Sequence, residues 1–281
     1  MVLLQYMVYA FIISFGSGVC GALLGLGGGV LLVPLLVFLL DVPIHLASGA
    51  SIVAVVATSS AAAATYVREE LTNIRLGMFL ELATTIGAIS GAFLMSLTSE
   101  GVLQVVFGIS LSYAAVIMFL QLRKGERSWV KMPNDRLSKM LALGGRYFDA
   151  ARGEEITYGV SRTPLTFGVS YLAGVISGLL GIGGGAVKVP TMNVLSSVPM
   201  KVAVATSNFM IGVTAAASAL VYIRYKYVNA FITAPVILGT LTGAYVGARL
   251  TNRVRGVALK KFFIAVITLL AVRMILSGLG V

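Results

Sequence analysis

Charged residues are scarce in this chain. Only 11% of its 281 residues are Asp, Glu, Lys or Arg, whereas about a quarter are charged in a typical soluble domain. The chain also has one cysteine, Cys20, and one histidine, His45. A single cysteine excludes an internal disulfide, and neither residue belongs to a spacing typical of a metal site or a nucleophile. We therefore expect no catalytic residue, no metal and no cofactor, and the composition disfavours an enzyme.

Hydrophobic residues make up 58% of the chain, and they lie in long runs. Crossing a bilayer as a helix takes roughly 20 apolar residues, and eight runs are near or above that length. The first run (residues 8–40) and the fifth (residues 167–195) are too long for one helix, and each contains a glycine cluster. We therefore predict an all-α, multi-pass protein of the cytoplasmic membrane with eight to ten helical segments.

The positive charge of the chain is concentrated between its apolar runs. The net charge is +11, and 14 of the charged residues lie between Arg123 and Arg162. In a soluble protein such a charge would suggest a nucleic-acid partner, but in a membrane protein it follows from the rule that Lys and Arg mark cytoplasmic loops. We expect the lipid bilayer as surroundings and no nucleic acid as partner.

The sequence contains an internal duplication. The segment Gly-Leu-Gly-Gly-Gly at 25–29, followed by Val-Pro at 33–34, recurs as Gly-Ile-Gly-Gly-Gly at 181–185, followed by Val-Pro at 189–190. The offset is 156 residues (181 minus 25), and without any gap it also pairs Ser51 with Ser207, Tyr66-Val-Arg68 with Tyr222-Ile-Arg224, and Asn73 with Asn229. Chance similarity between apolar sequences does not place Pro, Arg and Asn at equal offsets. Residues 1–122 and 163–281 are therefore predicted to be homologous transmembrane repeats of four to five helical segments.

The segment between the repeats, residues 123–162, is predicted to be a basic cytoplasmic linker with a small hairpin at about 147–160. The loop at 249–261 carries five Lys or Arg residues and should also be cytoplasmic. Both segments face the cytoplasm only if each half crosses the membrane an odd number of times. This favours inverted repeats of five segments, which is the arrangement found in many secondary transporters.

The triple glycines, Gly27 to Gly29 and Gly183 to Gly185, are the first candidate binding residues. An interrupted helix exposes backbone groups that lipid cannot satisfy, so each break must be buried in protein or line a cavity. The amide groups there, at the start of a following helix, would suit an anion. The alternative is that glycine only allows helices to cross closely, which we favour for Gly87/Gly91 and Gly243/Gly247.

Polar side chains near the second glycine cluster are further candidates. Lys188 lies in an apolar segment, where it could supply positive charge to a substrate or extend to the membrane surface. Ser51 in the first half, and Thr206, Ser207 and Asn208 in the second, could donate hydrogen bonds to an anion. They could equally bond to carbonyl groups of neighbouring helices.

Three charged residues are candidates for coupling or gating. Glu81 is the one acid well inside a predicted span, and it could carry a proton or serve as a structural carboxyl bonded to another helix. Arg68 and Arg224 close equivalent spans. They could gate the two mouths of a pathway, or they could be anchors at the membrane surface.

The paired Gly-x-Gly-Gly-Gly and Val-Pro motifs, each followed by a serine-containing helix start, resemble those of the TauE/SafE family of sulfite exporters. The resemblance implies a secondary transporter that exports small sulfur-containing anions, such as sulfite or sulfoacetate, by alternating access. The implied site is Gly27 to Gly29, Gly183 to Gly185, Ser51, Thr206, Ser207 and Asn208. An anion channel, or a permease for another small organic or inorganic anion, is the alternative function, and a homodimer is left open.

Overall fold

The computed structural model describes residues 2–24, 28–124, 135–149, 153–250 and 256–280. The first half contains the helices α1 (Val2–Leu24), α2 (Gly29–Leu40), α3 (Ile44–Arg68), α4 (Ile74–Leu97) and α5 (Glu100–Lys124). Between the halves lie α6 (Arg136–Met140), β1 (Gly145–Asp149) and β2 (Glu154–Tyr158). The second half contains α7 (Thr163–Leu180), α8 (Gly185–Pro190), a π-helical turn (Thr191–Leu195), α9 (Met200–Arg224), α10 (Ala230–Leu250) and α11 (Gly256–Gly278).

Within the ranges that the structure describes, each half therefore has five helical segments, if α8 and its π-helical turn are counted as one. Among the described residues, seven helices are long and apolar enough to cross a membrane. The helix α2 is shorter, with 12 residues, or roughly 18 Å at 1.5 Å per residue. The predicted all-α multi-pass fold is confirmed, and both overlong apolar runs are interrupted at their glycine clusters.

The backbone repeats its irregular points at the same offset as the sequence. Asp41 and Ser197 adopt left-handed conformations, with φ of 50° and 58°, at the ends of equivalent short segments. Glu70 and Lys226 do the same after α3 and α9, with φ of 55° and 61°. A left-handed conformation is uncommon for residues other than glycine. The shared positions therefore support duplication independently of residue identity.

The two halves interlock through parallel helix pairs. The helix α1 packs along α10 of the other half, and α7 packs along α4 in the equivalent way. Glycines bring these backbones together: Gly243 and Gly247 lie against the carbonyls of Phe15 and Val19, and Gly91 lies against Val175. The prediction that these glycines serve close helix crossing is confirmed.

Equivalent helices from the two halves pack antiparallel to each other. Gly49 near the start of α3 meets Tyr227 just after α9, whereas Gly212 within α9 approaches Ser60 late in α3. Similarly, Gly101 at the start of α5 contacts Gly278 at the end of α11. Two copies related by a two-fold axis lying across these helices would produce this arrangement.

The linker folds onto the first half. The predicted hairpin is confirmed, with Gly145 opposite Tyr158 and Asp149 opposite Glu154. The Asn73 amide donates to the carbonyl of Leu143 (2.8 Å) and to the Tyr158 hydroxyl (2.9 Å), and the Asn73 side-chain oxygen accepts from the backbone of Leu76 at the start of α4. Burial raises the pKa of Tyr158 to about 12, so its hydroxyl stays protonated.

Asp135 anchors the linker to the start of α7. Its carboxylate accepts hydrogen bonds from the backbone and hydroxyl of Thr163 and from the backbone of Ser138. Burial acts to raise the pKa of Asp135, but these hydrogen bonds outweigh it and hold the pKa below its ordinary value. Residues 125–134 and 150–152, in the predicted linker, and residues 251–255, in the predicted basic loop, lie outside the described residues.

Candidate functional site

The second helix break is a tight, buried turn. Gly181, Gly183 and Gly184 have φ values of 70°, 77° and 73°, which other residues rarely adopt. A Cβ on Gly183 would come within 2.7 Å of Val55 and 2.8 Å of Ile211. Both backbone conformation and space therefore require glycine at this position. The turn lies inside the protein, as the sequence predicted for an interrupted helix.

The first helix break lies directly against the second. A Cβ on Gly29 would come within 3.2 Å of the Cα atom of Ile182, in the middle of the second break. Ser17 donates to the carbonyl of Gly28 at 2.8 Å, on the approach to α2. Gly27, together with Gly25 and Leu26, lies outside the described residues. The described part nevertheless brings the two halves together at their equivalent interruptions.

Ser51 on α3 donates a hydrogen bond to the second break and lies beside the first. Its hydroxyl donates to the carbonyl of Gly181 at 2.9 Å, across 130 residues of sequence. A Cβ on Gly29 would lie 2.9 Å from the same hydroxyl oxygen. Ser51 therefore lies at the predicted site, where it satisfies a carbonyl group that the helix break exposes.

Three buried hydroxyls near the breaks have no hydrogen-bond partner among the described residues: those of Ser48, Ser177 and Ser207. All three serines are at most 1% exposed. A Cβ on Gly184 would lie 3.2 Å from the Ser177 hydroxyl, and one on Gly181 would lie 2.9 Å from the Ser48 Cβ. Because buried polar groups are nearly always paired, unpartnered hydroxyls at a helix break call for a ligand or water.

Ser207 differs from the other two serines because its repeat equivalent, Ser51, also carries a hydroxyl. Its equivalent, Ser51, bonds to Gly181, so the corresponding carbonyl for Ser207 is that of Gly25. Gly25 lies outside the described residues. Ser48 and Ser177 are equivalent to Val204 and Gly21, so their hydroxyls have no counterpart in the other half.

The other two predicted hydrogen-bonding residues have structural partners. Thr206 accepts a hydrogen bond from the backbone N–H of Asn73 at 3.0 Å, just before α4. The Asn208 amide donates to the carbonyl of Val204 on its own helix at 3.0 Å. Both side chains are buried, but the described contacts of Thr206 are directed at α4 rather than at the helix breaks.

Lys188 is buried and does not extend to a membrane surface. The residue is 1% exposed, and its ammonium group donates to the hydroxyl of Thr214 on α9 at 2.7 Å. Thr214 in turn donates to a carboxylate oxygen of Glu81 on α4, also at 2.7 Å. Lys188 and Glu81, both singled out from the sequence, therefore belong to one cluster. They are joined by the Thr214 hydroxyl, which sequence reasoning missed.

The Glu81 carboxylate accepts hydrogen bonds from hydroxyls of two helices. Besides Thr214 on α9, its donors are Thr84 (3.0 Å) and Thr85 (2.7 Å) on its own helix. Glu81 is 6% exposed. Each carboxylate oxygen of Glu81 has at least one hydroxyl donor, so neither oxygen is left without a hydrogen bond.

The cluster is adjacent to the second helix break. Ile211, which contacts Gly183, lies one helical turn before Thr214 on α9. Lys188 follows Gly185 by three residues on α8. Lys188 thus lies a few residues after the buried glycine turn, and Thr214 lies one helical turn from a residue that contacts that turn.

Arg68 and Arg224 lie apart from this site. They end α3 and α9, and both are exposed. Because these two helices are antiparallel, the two arginines lie at opposite ends of the pair.

The sequence carried signals for the site residues that the structure brings together. Ser177 could have been recognised as a hydroxyl one turn before a glycine break. Lys188 and Glu81 could have been recognised as a pair because they are two buried charges whose repeat equivalents, Leu32 and Ile237, are both apolar.

Comparison with known proteins identifies the family. The family described as "Sulfite exporter TauE/SafE" matches residues 10–274, nearly the whole chain. The chain belongs to the TauE/SafE family. Its glycine breaks and both packed halves lie within the matched region, so the family assignment covers the complete site described above.

Relatives within the TauE/SafE family carry transporter names. The Bacillus subtilis (strain 168) "Probable membrane transporter protein YunE" is 26% identical over 270 residues, which cover 94% of this chain and 95% of that protein. The YdhB protein of the same organism, with the same description, is 25% identical, covering 89% and 92%. A "Probable membrane transporter protein" of Xylella fastidiosa (strain Temecula1 / ATCC 700964) is 28% identical, covering 88% and 87%.

No solved structure matches the chain. The family, the transporter names of these relatives and the seven candidate spans together identify a multi-pass membrane protein of a transporter family, located in the cell membrane.

Proposed function

We propose that this protein is a secondary transporter that exports small sulfur-containing anions, with the anion held between the two helix breaks. The observation that carries the proposal is the meeting of two glycine breaks inside the protein, where Ser48 and Ser177 present buried hydroxyls without partners among the described residues. Hydroxyl and amide groups can replace the water around an oxyanion by donating hydrogen bonds to its oxygens. The family description supports sulfite as the first substrate to test.

Alternating access by inverted repeats is part of this proposal. The antiparallel packing of α3 with α9, and of α5 with α11, supports an axis of symmetry in the membrane plane. Transporters with such repeats hold substrate near the midplane, where the repeats meet. Under this proposal, the loops around Glu70 and Lys226 lie on opposite sides of the membrane. Cysteines introduced as Glu70→Cys and Lys226→Cys provide the test, because a membrane-impermeant thiol reagent that labelled both from one side would exclude inversion.

Transport of labelled sulfite and sulfoacetate into proteoliposomes tests the proposed substrate class. We expect saturable uptake above that of empty liposomes, and acceleration by unlabelled substrate on the opposite side. Acceleration of this kind requires a carrier, because substrate bound on the opposite side speeds the return of the empty binding site. A channel has no such return step. Saturable uptake without acceleration would favour the anion channel, and uptake of a different anion class alone would favour a permease for that class.

The hydroxyls at the breaks provide a matched test of location. Replacing Ser177 with alanine should raise the half-saturating concentration of the transported anion about 2- to 10-fold, because one hydrogen bond contributes roughly 0.5–1.5 kcal/mol. The control is Ser59→Ala, since Ser59 is also buried but bonds to Val55 on its own helix. Equal half-saturation in the wild type and Ser177→Ala would remove Ser177 from the site.

A further inference from the structure

The cluster of Glu81, Thr214 and Lys188 exists in only one of two equivalent places. The repeat offset assigns Leu32 to the position of Lys188, Thr58 to that of Thr214, and Ile237 to that of Glu81. Leu32 is fully buried, and Thr58 bonds only to carbonyls of its own helix. The positions of Lys188 and Glu81 are therefore charged in one of the two equivalent places. The matching positions in the other hold the apolar residues Leu32 and Ile237.

The charges are therefore not a requirement of the architecture. Burying a carboxylate and an ammonium group costs several kcal/mol each, and apolar residues of similar size often stabilise a protein as well or better. Charged residues at membrane depth are rare and usually belong to substrate or proton pathways. A pair that only one of two equivalent places contains is best explained by a task that the symmetric scaffold does not perform.

We propose that these three residues couple movement of the anion to movement of one proton, an inference that rests on the proposed function. Glu81 is the counterion of Lys188 through the Thr214 hydroxyl. The arriving anion takes the place of the carboxylate beside Lys188, and Glu81 then accepts a proton from water. The O–H bond that breaks belongs to a hydronium ion of the aqueous phase, which becomes water, and the O–H bond that forms is on a carboxylate oxygen of Glu81.

This exchange keeps the interior electrically neutral. Without substrate, the carboxylate and the ammonium group sum to zero. With a monovalent anion bound and Glu81 protonated, the ammonium group and the anion again sum to zero. Because an uncompensated charge in the membrane interior is costly, both loaded and empty forms can reorient, whereas a form with the anion but without the proton cannot do so readily.

No other described titratable group on the surrounding helices competes for this role. On α4, α7 and α9, the described titratable residues besides Glu81 are Arg75, Tyr171, Lys201, Tyr222 and Arg224. Four of them are exposed, and the fifth, Tyr222, donates its hydroxyl to the carbonyl of Gly178. On α5, which packs against α8, the titratable residues with described side chains are Glu100 and Tyr113, and both are exposed. On α8, Lys188 is the one titratable residue.

Two transport assays on purified protein in proteoliposomes test the coupling. The first measures exchange of labelled for unlabelled sulfite at equal pH on both sides, and the second measures accumulation of labelled sulfite driven by a pH gradient, together with proton movement reported by an internal dye. We expect Glu81→Gln to keep exchange within about threefold of wild type and to lose accumulation. Sulfite itself exchanges protons with water, so the comparison between wild type and variant is the readout.

Thr214 and Thr58 form a matched pair for the same assays. Thr214→Val removes the hydroxyl between the two charges, and we expect fewer protons to move per anion. Thr58→Val removes a hydroxyl that bonds only within its own helix, and it should behave as the wild type in both assays. If Glu81→Gln gives too little folded protein, Thr214→Val replaces it as the deciding variant, because it leaves both charges in place.

The outcomes separate the coupling from the proposed function. Wild-type protein that exchanges no sulfur anion would reject the substrate class and leave the coupling without basis. Wild-type exchange combined with unchanged proton-driven accumulation in Glu81→Gln would overturn the coupling while the proposed function stands. Equal proton movement in Thr214→Val and Thr58→Val would likewise count against a role for the bridging hydroxyl.

Discussion

Leu32 in the first half and Lys188 in the second occupy equivalent positions, and both are buried. Leu32 packs within the main hydrophobic core, whereas Lys188 donates to Thr214 and lies close to Glu81. The same contrast holds between Ile237 and Glu81. The two halves therefore contain equivalent packing positions, and only one set of them carries charge. The difference distinguishes positions that packing fills with apolar residues from positions that the proposed coupling uses.

The largest expected effect on stability comes from replacing one member of the Lys188–Glu81 pair while the other stays charged. Lys188→Leu leaves the Glu81 carboxylate buried without a cation, which typically costs about 3–5 kcal/mol. The Lys188→Leu, Glu81→Ile double variant copies the apolar equivalent position and should recover most of that stability. Thermal unfolding in detergent measures both. A double variant no more stable than the single one would show that the two positions are not interchangeable in packing.

A smaller effect separates the two helix breaks. Gly184 has φ of 73°, and a Cβ on Gly184 would lie 2.9 Å from the Cβ of Ser177. Its equivalent, Gly28, has φ of −64°, and the nearest neighbouring atom to a Cβ on Gly28 would be 3.8 Å away. Gly184→Ala should therefore cost about 2 kcal/mol or more from strained backbone, and Gly28→Ala less than about 0.5 kcal/mol. Thermal unfolding again decides, and equal losses would mean that the two breaks are constrained alike.

The smallest effect concerns the linker, which adds to the asymmetry of the halves. Asn73 caps α4 and also bonds to Leu143 and Tyr158, whereas its equivalent Asn229 bonds to Phe231. Asn73→Ala should cost about 1–2 kcal/mol, and Asn229→Ala nearer 0.5 kcal/mol. Proteolysis at the hairpin measures the loosening of the linker directly. Cleavage that increased equally in both variants would contradict docking through Asn73.

Much of this fold could be predicted from the sequence, because membrane spans and duplication leave strong patterns. Apolar length predicted the helices, and the 156-residue offset predicted which segments are equivalent. Glycines at i and i+4, such as Gly87 and Gly91, predicted close helix crossing. What the pattern could not give is which helices meet: α1 lies against α10, and nothing local in either sequence specifies that partner.

The candidate site was predicted less completely for the same reason. Lys188 and Glu81 were recognisable as costly charges, but their pairing depends on α9 bringing Thr214 between them. Thr214 is an ordinary hydroxyl in an apolar helix, and its equivalent Thr58 bonds only to its own helix. Thr206 was predicted to bind substrate, and its described partner is the backbone of Asn73. Its role in binding remains a prediction.

The pairing of α1 with α10, and of α4 with α7, bears on the history and biogenesis of the chain. A half-length ancestor with this architecture would have been a dimer in which each subunit lent its first helix to the fourth helix of the other. Fusion of two such genes would make that exchange intramolecular. During synthesis, however, the first helix must still wait for more than two hundred residues to be translated before its partner emerges, so membrane insertion and final packing are necessarily separate events.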